Sequence, residues 1–156
     1  MKIRLVWIGK TKSGPLRQLL EEYLERVGKF VSVEVTELRD RRDVGRDGRR
    51  IIDKEGEDIL SRTSSAPYLI ALDERGHQLD SIKLSEMIEN HRTLGTKEIT
   101  FVIGGYGGLS EAVRQRADFV LALSRMTLTH DLARVLLAEQ IYRAQQLLAG
   151  HPYHRA

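Results

Sequence analysis

The run Tyr68-Leu69-Ile70-Ala71-Leu72-Asp73 constrains this chain more than any other stretch. Continuous apolar residues over so short a length suit a strand covered on both faces, whereas a sheet with one wet face alternates apolar and polar. Helices must therefore lie on both sides of it. Residues 3–8 form a second run, apolar and rich in β-branched side chains, and residues 99–103 and 119–123 are two more. Residues 31–38 differ, because Val31, Val33 and Val35 alternate with polar neighbours at a period of two. Helical spacing fills the gaps. Leu16, Leu19, Leu20 and Leu24 follow Pro15, which suits a first turn. Ile51, Ile52, Ile59 and Leu60 mark a second helix, and Leu84, Met87 and Ile88 a third, opened by Asp80 or Ser81. A short helix over 109–117 has Ser110 as its cap with Glu111 behind it. The last helix starts near Asp131 as N-cap and stops at Gly150, with Pro152 beyond. The order βαβαβαβαβα predicts an α/β fold, a mostly parallel sheet with helices on both faces. Without an internal repeat or a linker, residues 1–156 read as a single domain.

The chain has no cysteine, which removes disulfides, thiolate zinc sites and a cysteine nucleophile, and makes a reducing cytoplasm the expected setting. No apolar run is long enough for a membrane span. The N-terminus shares a positive charge with signal peptides but has no long apolar region or cleavage site, so it reads as the first strand. The net charge of +3 is concentrated between residues 39 and 50, where six arginines (39, 41, 42, 46, 49 and 50) meet three aspartates (40, 43 and 47). With Gly45 and Gly48 inside it, the segment is expected to be a mobile loop. It reads either as an arm that contacts phosphates or as a solvated charged loop.

Polar residues crowd into the loops after the later strands. Ile103-Gly104-Gly105-Tyr106-Gly107-Gly108 follows the fourth strand, and its glycines would let backbone approach a ligand closely. The cluster is not a dinucleotide fingerprint, since position 110 is serine and the strand is the fourth. There is also no G-K-[ST] phosphate loop. Ser124-Arg125-Met126-Thr127-Leu128-Thr129-His130 follows the fifth strand, and Asp73 ends the third, where a turn-capping role is the simpler reading. In a parallel sheet these three ends share one edge, so their loops can converge on one crevice. A serine triad is disfavoured because no G-x-S-x-G elbow exists and His130-Asp131 are adjacent in sequence. No metal is expected from His130, His151 and His154, because Pro152 breaks any helical face between the last two. On the final helix, Glu139 and Arg143 are four apart and can pair along the surface, or Arg143 can form a wall of the site with the tail. That tail, Tyr153-His154-Arg155, offers a stacking ring, an imidazole and a guanidinium, a mixture suited to an RNA base and its backbone.

Several strings together resemble one family. They are residues 124–130 as quoted, Leu132-Ala133-Arg134, Glu139-Gln140-Ile141-Tyr142-Arg143-Ala144 and His151-Pro152-Tyr153-His154, with Asp53-Lys54-Glu55-Gly56, Leu72-Asp73 and Ile103-Gly104-Gly105. The chain is similar along its whole length to the small single-domain SPOUT methyltransferases that methylate N3 of a pseudouridine in large-subunit ribosomal RNA. The resemblance implies a deep C-terminal trefoil knot, a homodimer formed through the knotted region and the last helix, and an assembled ribosome as substrate. It implies S-adenosylmethionine as cofactor, contacted by Leu72, Gly104, Gly105, Ser124, Arg125, Met126, Thr127, Leu128 and Thr129. His130, Glu139 and His154 become candidate bases. Arg143 and Arg155 become candidate stabilisers of the acceptor anion, and Arg143 with Tyr153 and His154 is expected to act on the acceptor base. Family members often carry Pro-Glu where this chain has Tyr106-Gly107. The competing class is a non-catalytic RNA- or ribosome-binding module of the same fold, and the intact glycine and 124–129 loops argue against it.

Overall fold

The structure, a computed structural model, describes residues 1–42 and 45–152. Its elements alternate as the hydrophobic pattern requires: β1 (Lys2–Ile8), α1 (Gly14–Gly28), β2 (Ser32–Leu38), α2 (Gly48–Arg62), β3 (Tyr68–Gln78), α3 (Ser81–Thr93), β4 (Glu98–Ile103), α4 (Glu111–Arg116), β5 (Phe119–Ala122) and α5 (His130–Leu148). The five strands form one sheet in the order β2-β1-β4-β3-β5, and every pairing is parallel. Three of the four continuous apolar runs, β1, β3 and β4, are central, and the fourth, β5, is an edge strand. The alternating run, β2, is the other edge strand and has no fully buried residue: Val33 is half-buried and Val35 exposed, while Val31, just before the strand, is buried.

Each face of the sheet has its own core. On one side Ile3, Leu5, Ile70, Phe101 and Ile103 pack with Leu20 of α1, Leu84 and Ile88 of α3, and Leu137 and Ile141 of α5. On the other, Val6, Leu69, Ala71 and Val102 pack with Ile59 of α2 and Val113 of α4. Full burial of each large aliphatic or aromatic side chain contributes about 1.5–3 kcal/mol, and the two layers share that work across one sheet. Side chains cap the helices at their starts: Ser13, Asp47, Asp80, Ser110 and Thr129 each accept a backbone N–H from the first turn.

Three boundaries depart from expectation. The last helix begins earlier, with Thr129 as its N-cap, because the Asp131 carboxylate is occupied elsewhere. The segment 39–50 is not one loop: Asp47 caps α2, and Gly48, Arg49 and Arg50 form its first turn. The strand opened by Tyr68 does not end at Asp73. Residues 73–76 loop out, and pairing resumes so that Leu121 of β5 faces both Leu72 and His77. Asp73 makes this excursion possible by accepting the Arg75 backbone N–H at 2.9 Å, the turn-capping role.

Candidate functional site

The carboxyl ends of β3, β4 and β5 open onto one cavity of about 590 Å³, within the range of small-molecule sites. Leu72 and residues 73–75 form one wall, the glycine loop 104–108 a second, and Leu123, Ser124 and residues 126–130 a third. Ile103, Leu121 and Leu123 supply an apolar floor.

The glycine loop is a tight hairpin. Gly108 donates its N–H to the Gly105 carbonyl at 3.0 Å, and the two residues form an antiparallel bridge. Gly108 has φ +85°, which disfavours any residue with a side chain. At Gly105 the constraint is packing: a Cβ there would lie 2.6 Å from Glu55 Oε2 and 3.1 Å from Ile8 Cγ2. The crowding that demands glycine thus comes from the protein itself. Glu55 is a buried carboxyl beneath the hairpin. Its Oε1 accepts the Arg41 backbone N–H at 3.2 Å, while Oε2 has no hydrogen-bond partner among the described residues. Burial pushes this carboxyl above the ordinary glutamate value, and the Arg41 N–H opposes the shift in part.

The segment after β5 is pinned at several points. Ser124 Oγ accepts the Met126 N–H at 3.0 Å, and Thr127 Oγ1 donates to Glu74 Oε2 at 2.6 Å, which ties the third wall to the first. The chain then returns from the β5 edge of the sheet to the end of β1. There Asp131 Oδ2 accepts the backbone N–H groups of Lys12 (3.1 Å) and Ser13 (3.2 Å). Arg134, wholly buried, donates to the Ile8 carbonyl at 2.6 Å and to Thr11 Oγ1 at 3.0 Å, with its guanidinium 4.9 Å from the Trp7 ring centroid. This clamp fixes the start of α5, where His130 faces the cavity. Partial burial lowers the His130 pKa from 6.5, and the nearby Arg134 charge lowers it further against the opposing Asp131. The imidazole is therefore neutral at pH 7 and able to accept a proton.

Of the residues singled out in the sequence, Leu72, Gly104, Gly105, Ser124, Met126, Thr127, Leu128, Thr129 and His130 line the cavity together. Arg125, exposed, is not among the lining residues. Glu139 and Arg143 stand apart from the cavity and pair with each other at 2.7 Å, the surface pairing that their spacing allows. Tyr153 and His154 lie outside the described residues, as do Asp43 and Arg155. His151 stands edge-on to Phe30, 6.5 Å between ring centres. Sequence reasoning missed Glu55 and Arg134 as supports of the site. Both sit in strings that carry the family resemblance, but no spacing rule marks an ionisable group as buried. The sequence marks Asp73 but not its partners: Arg75 holds it by two guanidinium hydrogen bonds of 2.9 Å, and Arg114 approaches at 3.5 Å, so its pKa lies below the usual value.

The family described as "Predicted SPOUT methyltransferase" matches residues 1–154. The ribosomal RNA large subunit methyltransferase H of Trichlorobacter lovleyi is 47% identical over 155 residues, covering 99% of each chain. The protein of the same name from Rhodospirillum centenum is 44% identical over 156 residues, covering 100% of each. Among solved structures, a putative methyltransferase from Legionella pneumophila in complex with the bound cofactor SAM superposes with a TM-score of 0.53. It is 14% identical, and the match covers 92% of this chain and 66% of that one, a likeness of fold.

Proposed function

Because this chain belongs to the SPOUT methyltransferase family, we propose that its strand-end cavity binds S-adenosylmethionine and that it methylates N3 of a pseudouridine in large-subunit ribosomal RNA. The observation that carries this reading is the convergence of three loops from different strands on one cavity of cofactor size. The lining suits the cofactor chemically. Leu72, Ile103, Leu121 and Leu128 offer apolar surface to an adenine, and Ser124, Thr127 and Thr129 bring hydroxyl groups and a turn of backbone to its polar edges. Bound there, S-adenosylmethionine supplies a methyl group already activated on a sulfonium. The chain's own residues must then orient the acceptor, exclude water and take the N3 proton. His130 is the proposed base, supported by its place on the cavity wall and its lowered pKa.

Arg143, Glu139, Tyr153 and His154 are proposed to act on the acceptor side. Since the Glu139–Arg143 pair does not line this protomer's cavity, that role requires a second copy. A homodimer is part of the same proposal, supported by the exposure of Leu132 and Leu136 on α5. The trefoil knot belongs to it too, supported by the path of residues 123–129 back across the ends of β3 and β4. Ribosomes in a cytoplasm would be the setting. Among the described residues no helix is long and apolar enough to cross a membrane.

The test is methyl transfer from labelled S-adenosylmethionine to ribosomes from cells that lack this enzyme. Incorporation by the wild type that Leu72→Arg abolishes, by filling the cavity, is expected. Incorporation that survives the filled cavity would show that the site is elsewhere. A non-catalytic binding module would bind ribosomes without any transfer.

A further inference from the structure

The most exposed large hydrophobic side chains bordering the cavity are Tyr106 and Met126, 83% and 77% accessible, on different walls. Tyr106 is at the tip of the glycine hairpin. That hairpin has little freedom to move. Its two ends are bridged at Gly105 and Gly108, and a Cβ at Gly107 would lie 2.7 Å from Ile52 Cγ1, so backbone rests directly on α2. Glu55 supports it from below. A phenol ring is thus presented to solvent on rigid backbone, at the mouth of a cavity.

One cation stands near it. Arg42, half-exposed and paired with Asp40 at 2.6 Å, lies within electrostatic reach of the Tyr106 phenol. The Arg42 guanidinium, by exchanging its Asp40 partner, can meet a phosphate next to a base held on the ring. A flat ring beside a guanidinium is a combination that holds unpaired nucleotides, where the ring takes the base by stacking and the cation takes the backbone.

We propose that Tyr106 is the stacking platform for an unpaired nucleobase of the substrate RNA as it enters the cavity, with Met126 as the apolar lip on a second wall. The inference rests on the reading of the protein as an RNA methyltransferase and adds a residue that recognises the acceptor rather than the cofactor. An order of entry follows: the platform is exposed and needs no rearrangement to receive a base, so recognition does not wait on closure of a lid.

The probe is ribosomes from cells lacking the enzyme, with transfer from labelled S-adenosylmethionine followed as kcat and KM. Binding of S-adenosylmethionine alone is measured by calorimetry. Tyr106→Ala is expected to lower kcat/KM for ribosomes by roughly 5- to 150-fold, the range for loss of one base–aromatic stack. Tyr106→Phe and Tyr106→Trp, which keep a flat ring, should rescue the loss, and Tyr106→Leu, which keeps only bulk, should not. Cofactor affinity should be the same in all four variants. Transfer by Tyr106→Ala equal to wild type would overturn the proposal. So would a parallel drop in cofactor affinity, which would assign the ring to the cofactor's adenine, or full rescue by leucine, which would reduce it to shape. Failure of the wild type itself to transfer methyl to ribosomes would instead remove the RNA methyltransferase reading, and this inference with it.

Discussion

Replacing Arg134 with methionine probes how far the site depends on a buried ion it never exposes. The substitution keeps length and apolar volume against Trp7 while deleting the charge. Two hydrogen bonds disappear, to the Ile8 carbonyl (2.6 Å) and Thr11 Oγ1 (3.0 Å). Removing one partner of a buried ion pair costs about 3–5 kcal/mol when the other is stranded. Here the stranding is incomplete. Asp131 keeps the Lys12 and Ser13 amides, its Oδ1 stands 3.7 Å from the guanidinium, and Arg134 Nε has no hydrogen-bond partner among the described residues. The pair is loose, so the cost should fall at or below the low end, about 2–3 kcal/mol. For a domain of this size that corresponds to roughly 5–10 °C in Tm, read by urea and thermal melts. His130 supplies a second, independent readout. Arg134 is the charge that most strongly depresses its pKa, so the imidazole of Arg134→Met should titrate higher than in the wild type, visible by NMR. A destabilisation below about 1 kcal/mol with His130 unmoved would refute the clamp.

The buried Glu55 carboxyl has a folded-state pKa raised by burial. Its contribution to stability is therefore fully present below the unfolded glutamate value of 4.5 and is lost as pH rises through the folded value. Glu55→Gln should gain stability over wild type at pH 8 relative to pH 4, and equal pH dependence in both proteins would contradict the assignment. With His130 as base, kcat should fall in acid with a midpoint below 6.5 and be level above neutrality; an unchanged acid limb in His130→Gln would exclude it. Arg41 is held by Asp58 through two hydrogen bonds (2.6 and 3.1 Å) and Arg42 by Asp40. If these arginines nevertheless meet ribosomal phosphates, the Arg41, Arg42 and Arg46 triple alanine should weaken ribosome binding and flatten its salt dependence by about 0.7–0.9 for each phosphate no longer neutralised. An unaltered slope would leave the segment a solvated loop.

The layering was legible because burial leaves a plain trace in sequence. The run 68–72 could be read as a strand covered on both faces, and the period of two over residues 31–38 as a strand, from periodicity alone, whereas the strand order, which puts β2 and the equally apolar β5 at the edges, could not. Helix caps Asp80 and Ser110 were legible for the same reason, since capping is local chemistry. What escaped depends on long-range pairing. Asp131 looks like an N-cap from its neighbours, yet its carboxylate serves amides more than a hundred positions away, and Thr129 takes the cap instead. Arg134 looks like one more polar residue on an amphipathic helix and is wholly buried. The four glycines suggested room for a ligand. The structure gives Gly105 and Gly107 a different reason, the close approach of Glu55 and Ile52. The crevice itself was foreseeable from topology, because parallel strands end on one edge. The excursion of residues 73–76 was not, because its cause is the pairing of one β5 residue with two positions of β3.

The proposed function rests on methyl transfer from this cavity to one particular atom of ribosomal RNA. Nucleoside mass spectrometry of ribosomes from enzyme-lacking cells, after incubation with purified protein and S-adenosylmethionine, tests it most directly. A single new N3-methylpseudouridine in large-subunit RNA, absent with Leu72→Arg, is expected. A methyl group on any other nucleoside, or none despite measurable cofactor binding, would contradict it.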